Sequence, residues 1–255
     1  VVVVPVILGL WALGGCSSQI PQELTSVPEV KPEVRADGLG EVSGQDLSVR
    51  SPKWSVYRTP ASEDGPRLRI ERLDGGGGTW LSERKIVDGS STKPESTATL
   101  RINGGALELL STREPGDGVV TEMVPSMLIV PVALKPGESA KAEFEMIVRP
   151  QDEPSKVKTR GPASVELLHL GIEKISTPVG EFSCARIRRT LRATLGTGAT
   201  AAKVTSVTES WHDLGPTRAG MVRERESVRV TVLGVGVRSS DVTWELEDYA
   251  GRAGK

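Results

Sequence analysis

The sequence predicts a mainly β protein, an antiparallel and highly curved sheet closed into an open barrel or folded into a sandwich, behind an N-terminal segment of different character. Three observations predict it. Apolar and polar residues alternate with period two in many short runs, Gly- and Pro-centred turn signals separate those runs, and helical periodicity is almost absent. Composition agrees, because aromatic residues are few (4%) while Gly (28) and Pro (17) are plentiful, and abundant Val and Thr favour strands over helices. The net charge of −1 over 255 residues gives no electrostatic basis for binding nucleic acid.

The chain divides into residues 1–15, residues 16–44 and a β-rich region over 45–250, with an exposed break near 150–160 that could separate two β-subdomains. The uncharged run from Val1 to Leu13 is too short to cross a bilayer, which takes about 20 helical residues. It has the length of a signal-peptide hydrophobic region, and small residues follow it. Such signals open with a charged stretch, so a start upstream of Val1 is expected. From Ser17 to about Gly44 the repeated Pro, Glu and Val carry no sustained period and read as a semi-extended tether.

The β-patterned region begins at about Asp46. Trp54 and Val56 alternate with polar neighbours, as do Leu68 and Ile70. Asp74-Gly75-Gly76-Gly77-Gly78 is a turn between strands, since no Lys-Ser/Thr or helical pattern follows to make it a phosphate loop. Asp88-Gly89-Ser90 is a second turn, and Asn103-Gly104-Gly105 between Ile102 and Leu107 is a hairpin signal. Met127 to Leu134, interrupted by Pro131, reads as a buried segment leading into the turn Lys135-Pro136-Gly137-Glu138. Ala142, Phe144, Met146 and Val148 then share one face of a half-buried strand. Phe182 and Cys184 share one parity while Ala185, Ile187 and Leu191 share the other, which predicts a β-bulge near Cys184. Strands over 204–211, 222–237 and 242–246 complete the set.

Leu13-Gly14-Gly15-Cys16 resembles the bacterial lipobox, in which an apolar residue and two small residues precede a cysteine. That resemblance implies cleavage between Gly15 and Cys16, attachment of diacylglycerol to the Cys16 thiol and acylation of the new terminus. Two or three acyl chains on one residue would hold the chain at a membrane, each buried methylene contributing about 0.8 kcal/mol. Ser17 after the cysteine implies the outer membrane, facing the periplasm, if the envelope is Gram-negative. With Cys16 lipidated, Cys184 has no partner and reads as a small buried residue.

A second resemblance rests on Leu134-Lys135-Pro136-Gly137-Glu138, on Thr177-Pro178-Val179-Gly180-Glu181-Phe182 and on Glu209 to Pro216 with Gly220-Met221-Val222-Arg223. These stretches are similar to a family of bacterial envelope β-proteins of unassigned function. The resemblance implies a curved sheet similar to the half-barrels of periplasmic lipoprotein carriers, and implies no reaction.

Chemistry is sparse. His169 lies in the apolar run Leu167-Leu168-His169-Leu170, and His212 adjoins Asp213 without a Gly-x-Ser-x-Gly elbow, so turn polarity explains the pair better than a triad does. No Cys/His spacing suits zinc, and neither a metal nor another cofactor is expected. The basic run Arg186, Arg188, Arg189 and Arg192 could meet lipid phosphates or an acidic polymer, although pairing with the acidic Glu224–Glu226 region is the plainer reading. The expected function is a non-catalytic, membrane-anchored envelope lipoprotein. Phe144, Met146, Val148, Phe182 and Trp211 are candidate contacts for an acyl chain or an apolar peptide. The alternatives are a scaffold that engages an envelope partner through a sheet edge and a hydrolase centred on His212 and Asp213.

Overall fold

The structure, a computed structural model, describes residues 40–251 apart from 61, 63 and 234, with all side chains in that range except those of 49, 50, 199 and 237. The expected signal segment and Cys16 lie outside the described residues.

Alternation becomes a ladder of twelve antiparallel strands, each hydrogen-bonded to its neighbours in sequence. They are β1 (Trp54–Arg58), β2 (Arg67–Gly76), β3 (Thr79–Asp88), β4 (Ser91–Asn103), β5 (Ala106–Glu114), β6 (Val119–Val130), β7 (Ser139–Pro150), β8 (Thr159–Thr177), β9 (Gly180–Leu195), β10 (Ala202–Asp213), β11 (Met221–Val232) and β12 (Val235–Tyr249). Pairing of β1 with β12 joins the two ends of the meander, so the barrel is closed rather than open. That seam is short. It runs from Ser55–Tyr249 to Arg58–Glu245, and Val235–Trp244 has no ladder partner on its β1 side among the described residues.

The turns follow their residues. Gly104-Gly105 forms the two-residue connection of β4 and β5, both glycines at positive φ (57° and 94°), as a type I′ hairpin requires. At Lys135-Pro136-Gly137-Glu138 the Glu138 N–H donates to Lys135 O at 2.9 Å, with Gly137 at φ 84°. The expected bulge falls elsewhere. β9 pairs with β10 in unbroken register from Leu195 to Cys184, and the extra residue is Leu170 of β8, between the pairs His169–Ile187 and Gly171–Arg186. The change of parity in β9 has another cause. Ala185 belongs to the cluster that fills the barrel, whereas Cys184 belongs to a second cluster on the other face of the strand.

The first cluster gathers Leu100, Leu107, Leu109, Met127, Phe144, Met146, Val148, Val165, Leu191 and Val204, among others. The second lies where β1 and β2 meet the 211–222 turn region and joins Tyr57, Leu68, Leu246 and Trp244 to Phe182, Cys184, Trp211, Met221 and Val222. Outward-facing residues of the same strands carry ion pairs instead: Arg67–Glu247 at 2.8 Å, Lys85–Glu71 at 2.7 Å, Arg149–Glu122 at 3.0 Å and Arg188–Glu209 at 2.6 Å. A lipid-facing barrel wall needs an apolar outer band, and this wall is charged.

One element departs from the expected pattern. Gly44–Arg50 is a short helix, α1, inside the stretch read as tether and early strand. Its start is written in Ser43-Gly44-Gln45-Asp46: the Asp46 N–H donates to Ser43 Oγ at 3.0 Å, and the Ser43 hydroxyl donates to Asp46 Oδ2 at 2.7 Å. Just before it, Val42 exchanges both backbone hydrogen bonds with Leu134 (3.0 and 2.9 Å) and is buried. The helix stoppers the barrel end formed by the β4–β5, β6–β7 and β10–β11 turns. The Gly44 N–H donates to Pro131 O, the Gln45 N–H to Gly105 O, and Arg72 Nη1 to Ser48 O at 2.6 Å.

Gly44 is obligatory here, because a Cβ would stand 2.0 Å from Leu107 N. Gly44→Ala is expected to unseat α1 and cost about 1–3 kcal/mol, read as a lower urea midpoint at nearly unchanged slope.

Candidate functional site: the lumen beneath the helical stopper

Strand alternation places a polar belt inside the barrel. β3 contributes Ser82 and Arg84, β4 Ser96, β9 Arg189, β10 Ser206, Thr208, Ser210 and His212, and β11 Glu224 and Glu226, all buried. At its centre Arg84 donates through Nη1 and Nη2 to Glu224 Oε1 at 3.1 and 3.2 Å, and through Nε to Glu95 Oε2 at 3.2 Å. Burial works against the charge on Arg84, yet Glu224, Glu95 and Glu226 more than offset it, and its pKa is raised. Glu226 accepts from Ser206 at 3.3 Å. Burial, reinforced by the neighbouring Glu224, pushes its carboxyl up to about 8. Towards the opposite end, burial and Asp117 push Glu114 up to about 9.

Arg189 is the exception in this belt. It is 4% exposed, its hydrogen bond is to Thr208 Oγ1 at 3.3 Å, and it makes no ion pair within 4.0 Å among the described residues. Burial lowers its pKa, with Glu224 and Glu226 acting the other way. With Ser210, His212, Leu47 of α1, Leu107, Ile129, Val130 and Ile187 it lines a cavity of about 10 Å³, at the lower limit of room for one water.

The four arginines of the basic run are dispersed by this geometry. Arg186 and Arg188 stand outside and share Glu209, and Arg192 lies 3.9 Å from Glu166. Only Arg189 turns inward, where Glu224 and Glu226 act on it. Phe144, Met146 and Val148 point into the first cluster, while Phe182 and Trp211 belong to the second. The structure therefore brings these five together only as two separate groups. Trp211 is flanked by Arg186 and Arg223, whose guanidinium carbons lie 5.0 and 5.8 Å from the ring, and its indole N–H donates to Glu173.

His212 and Asp213 lie on opposite faces of β10. The His212 ring meets Ser210 Oγ at 2.9 Å inside the barrel, and burial holds its pKa well below the ordinary histidine value. The Asp213 carboxylate accepts from the Gly215 N–H (2.8 Å), the Ala219 N–H (3.2 Å) and the Thr217 hydroxyl, which orders the β10–β11 turn. Asp213 thus orients a loop and not the imidazole. His169 is also buried and meets Leu134 O through Nδ1 at 3.2 Å. Cys184 is free and fully buried, and burial pushes its thiol up to about 12.

No protein-family profile matches the chain, and no curated protein matches it. Among solved structures, the chain is similar to the hypothetical lipoprotein YmcC of Escherichia coli K12, at 12% identity and a TM-score of 0.39, over 79% of this chain and 89% of that one. It is similar also to a protein of YmcC-like fold, assigned as exported, from Bacteroides fragilis NCTC 9343, at 12% identity and a TM-score of 0.38, over 76% of this chain and 91% of that one. Both likenesses concern the fold alone.

The raised Glu226 pKa is expected to make stability pH-dependent. Below the ordinary carboxylate range, folded and unfolded chains both hold the Glu226 proton, and nothing is lost. As pH climbs from about 4 towards the raised value of about 8, the folded chain must keep a proton that the unfolded chain releases. The Glu226 contribution is then expected to fall by up to about 1.4 kcal/mol per pH unit, with His212 acting the other way below the ordinary histidine value. Glu226→Gln is expected to flatten that part of the profile, measured by urea unfolding from about pH 5 to about pH 8.

Proposed function

We propose that this chain is a membrane-anchored, non-catalytic lipoprotein of the cell envelope whose barrel acts as a binding module. The observation that carries the reading is a contrast within one chain. The barrel exterior is lined with ion pairs, which suits a domain standing in water, whereas the N-terminal run ends in Leu13-Gly14-Gly15-Cys16, which suits a lipid anchor. The chain enters the barrel at its stoppered end, through Val42 and α1. An anchor at Cys16 would therefore tether that end, and the turns at 58–67, 88–91, 114–119, 150–159, 195–202 and 232–235 would face away from the membrane.

A second reading, an envelope scaffold, draws on β12. Its Val235–Trp244 stretch offers backbone donors and acceptors beside the short β1 seam, and Leu233 and Val235 at its tip are 66% and 62% exposed.

Metabolic labelling with an acyl-chain analogue is expected to mark the chain, and Cys16→Ser to abolish the label and move the protein from the membrane to the aqueous fraction. Retention of label by Cys16→Ser would overturn the anchor. For the scaffold reading, a photo-crosslinker at Ser239 is expected to capture one reproducible envelope protein in intact cells, and Ser239→Pro to remove that adduct.

A further inference from the structure

Leu47 occupies the middle of the stoppered mouth. Its side chain is 4% exposed and shares one small cavity with Leu107, Ile129, Val130, Ile187, Arg189, Ser210 and His212. Down from the mouth the register pairs His212 with Ala185, then Ser210 with Ile187, then Thr208 with Arg189, so polar and apolar residues share the upper levels and the cation lies deepest. A guanidinium presents donors in a fork that fits two carboxylate oxygens, and Arg189 spends one of them on a neutral hydroxyl. Of the nearby carboxylates, Glu224 accepts from Arg84 through Oε1 and keeps a buried, unpartnered Oε2, and Glu226 accepts from Ser206; neither pairs with Arg189 within 4.0 Å. A buried cation without a hydrogen-bonded anion is costly, and Leu47 lines the same small cavity as Arg189.

The element that carries this leucine is short. A seven-residue helix has no independent stability. α1 is held by a few backbone hydrogen bonds, the Arg72 contact and the burial of Leu47, and by no ladder. Elements of that kind open well below the free energy of global unfolding. Because cavity space is only about 10 Å³ with α1 in place, any ligand has to take the volume that Leu47 now fills.

We propose that the mouth is a gated site for a single-chain amphiphile with a carboxylate head, α1 being the gate. The head pairs with Arg189 beside the Ser210 hydroxyl, and the chain runs out between Leu107, Ile129, Val130 and Ile187 in place of Leu47. This inference rests on the binding-module reading above and is independent of the anchor.

The test uses the full chain bearing Cys16→Ser, titrated with the fluorescent long-chain carboxylate cis-parinarate and with its methyl ester. The acid is expected to saturate at one equivalent and to bind at least about tenfold more tightly than the ester. Leu47→Ala is expected to tighten the acid by about tenfold, because the gate then competes less. Arg189→Gln is expected to erase the preference for acid over ester; should that variant not fold, the acid–ester comparison in the unsubstituted lumen decides the same point. Equal affinity for acid and ester overturns the role of Arg189. Absence of saturable binding in both the parent and Leu47→Ala overturns the site, and neither outcome touches the acyl-labelling result on Cys16.

Discussion

Closing twelve strands into one barrel creates an interior that must be filled. Barrel width grows with strand number, and side chains fill an interior comfortably at about eight strands. Here aliphatic residues fill part of the space, and the remainder is spanned by long polar side chains. Arg84 reaches from β3 to Glu224 on β11, linking walls that are far apart along the ladder. Such a pair contributes little net stability against an apolar replacement, but losing one partner leaves a buried charge at a cost of about 3–5 kcal/mol. The belt is therefore best understood as fixing which strands face each other across the lumen.

The same demand for space explains the two clusters. β8 and β9 run on past the lumen into Ile175 and Phe182, where a second apolar group forms against Trp211, Met221 and Val222. Cys184 and Ala185 are buried on opposite faces of β9 because two cores meet there. Asp213 then holds the β10–β11 turn beside the second cluster, leaving Ser210 and His212 to the lumen.

Much of the strand pattern was legible in the sequence because half-burial imposes period two. Phe144, Met146 and Val148 lie on one face as their spacing requires, and Asn103-Gly104-Gly105 turns where its glycines permit positive φ. The closed barrel was not legible as such, since closure depends on a five-residue strand, Trp54–Arg58, finding the last one. The bulge was misplaced because a change of parity can arise from a bulge or from burial on both faces, and sequence alone does not separate the two. The polar belt does leave a signal in the sequence. Ser206, Thr208, Ser210 and His212 keep one parity, and Arg223-Glu224-Arg225-Glu226 is charged on both faces of a strand, which a single-faced sheet would not tolerate. α1 likewise had its cap, Ser43-Gly44-Gln45-Asp46, written in full.

The order of elements at the start of the described chain also sets a mechanical sequence. Tension on the backbone ahead of Gly40 would be carried first by the paired hydrogen bonds of Val42 and Leu134, next by α1 and only then by β1. β1 is the strand that completes the ring. Four backbone bonds, from Val42, Leu134, Gly44 and Gln45, and seven helical residues thus stand between a pull from the N-terminal side and the seam of the barrel, so the stopper would yield as a fuse before the ring was opened.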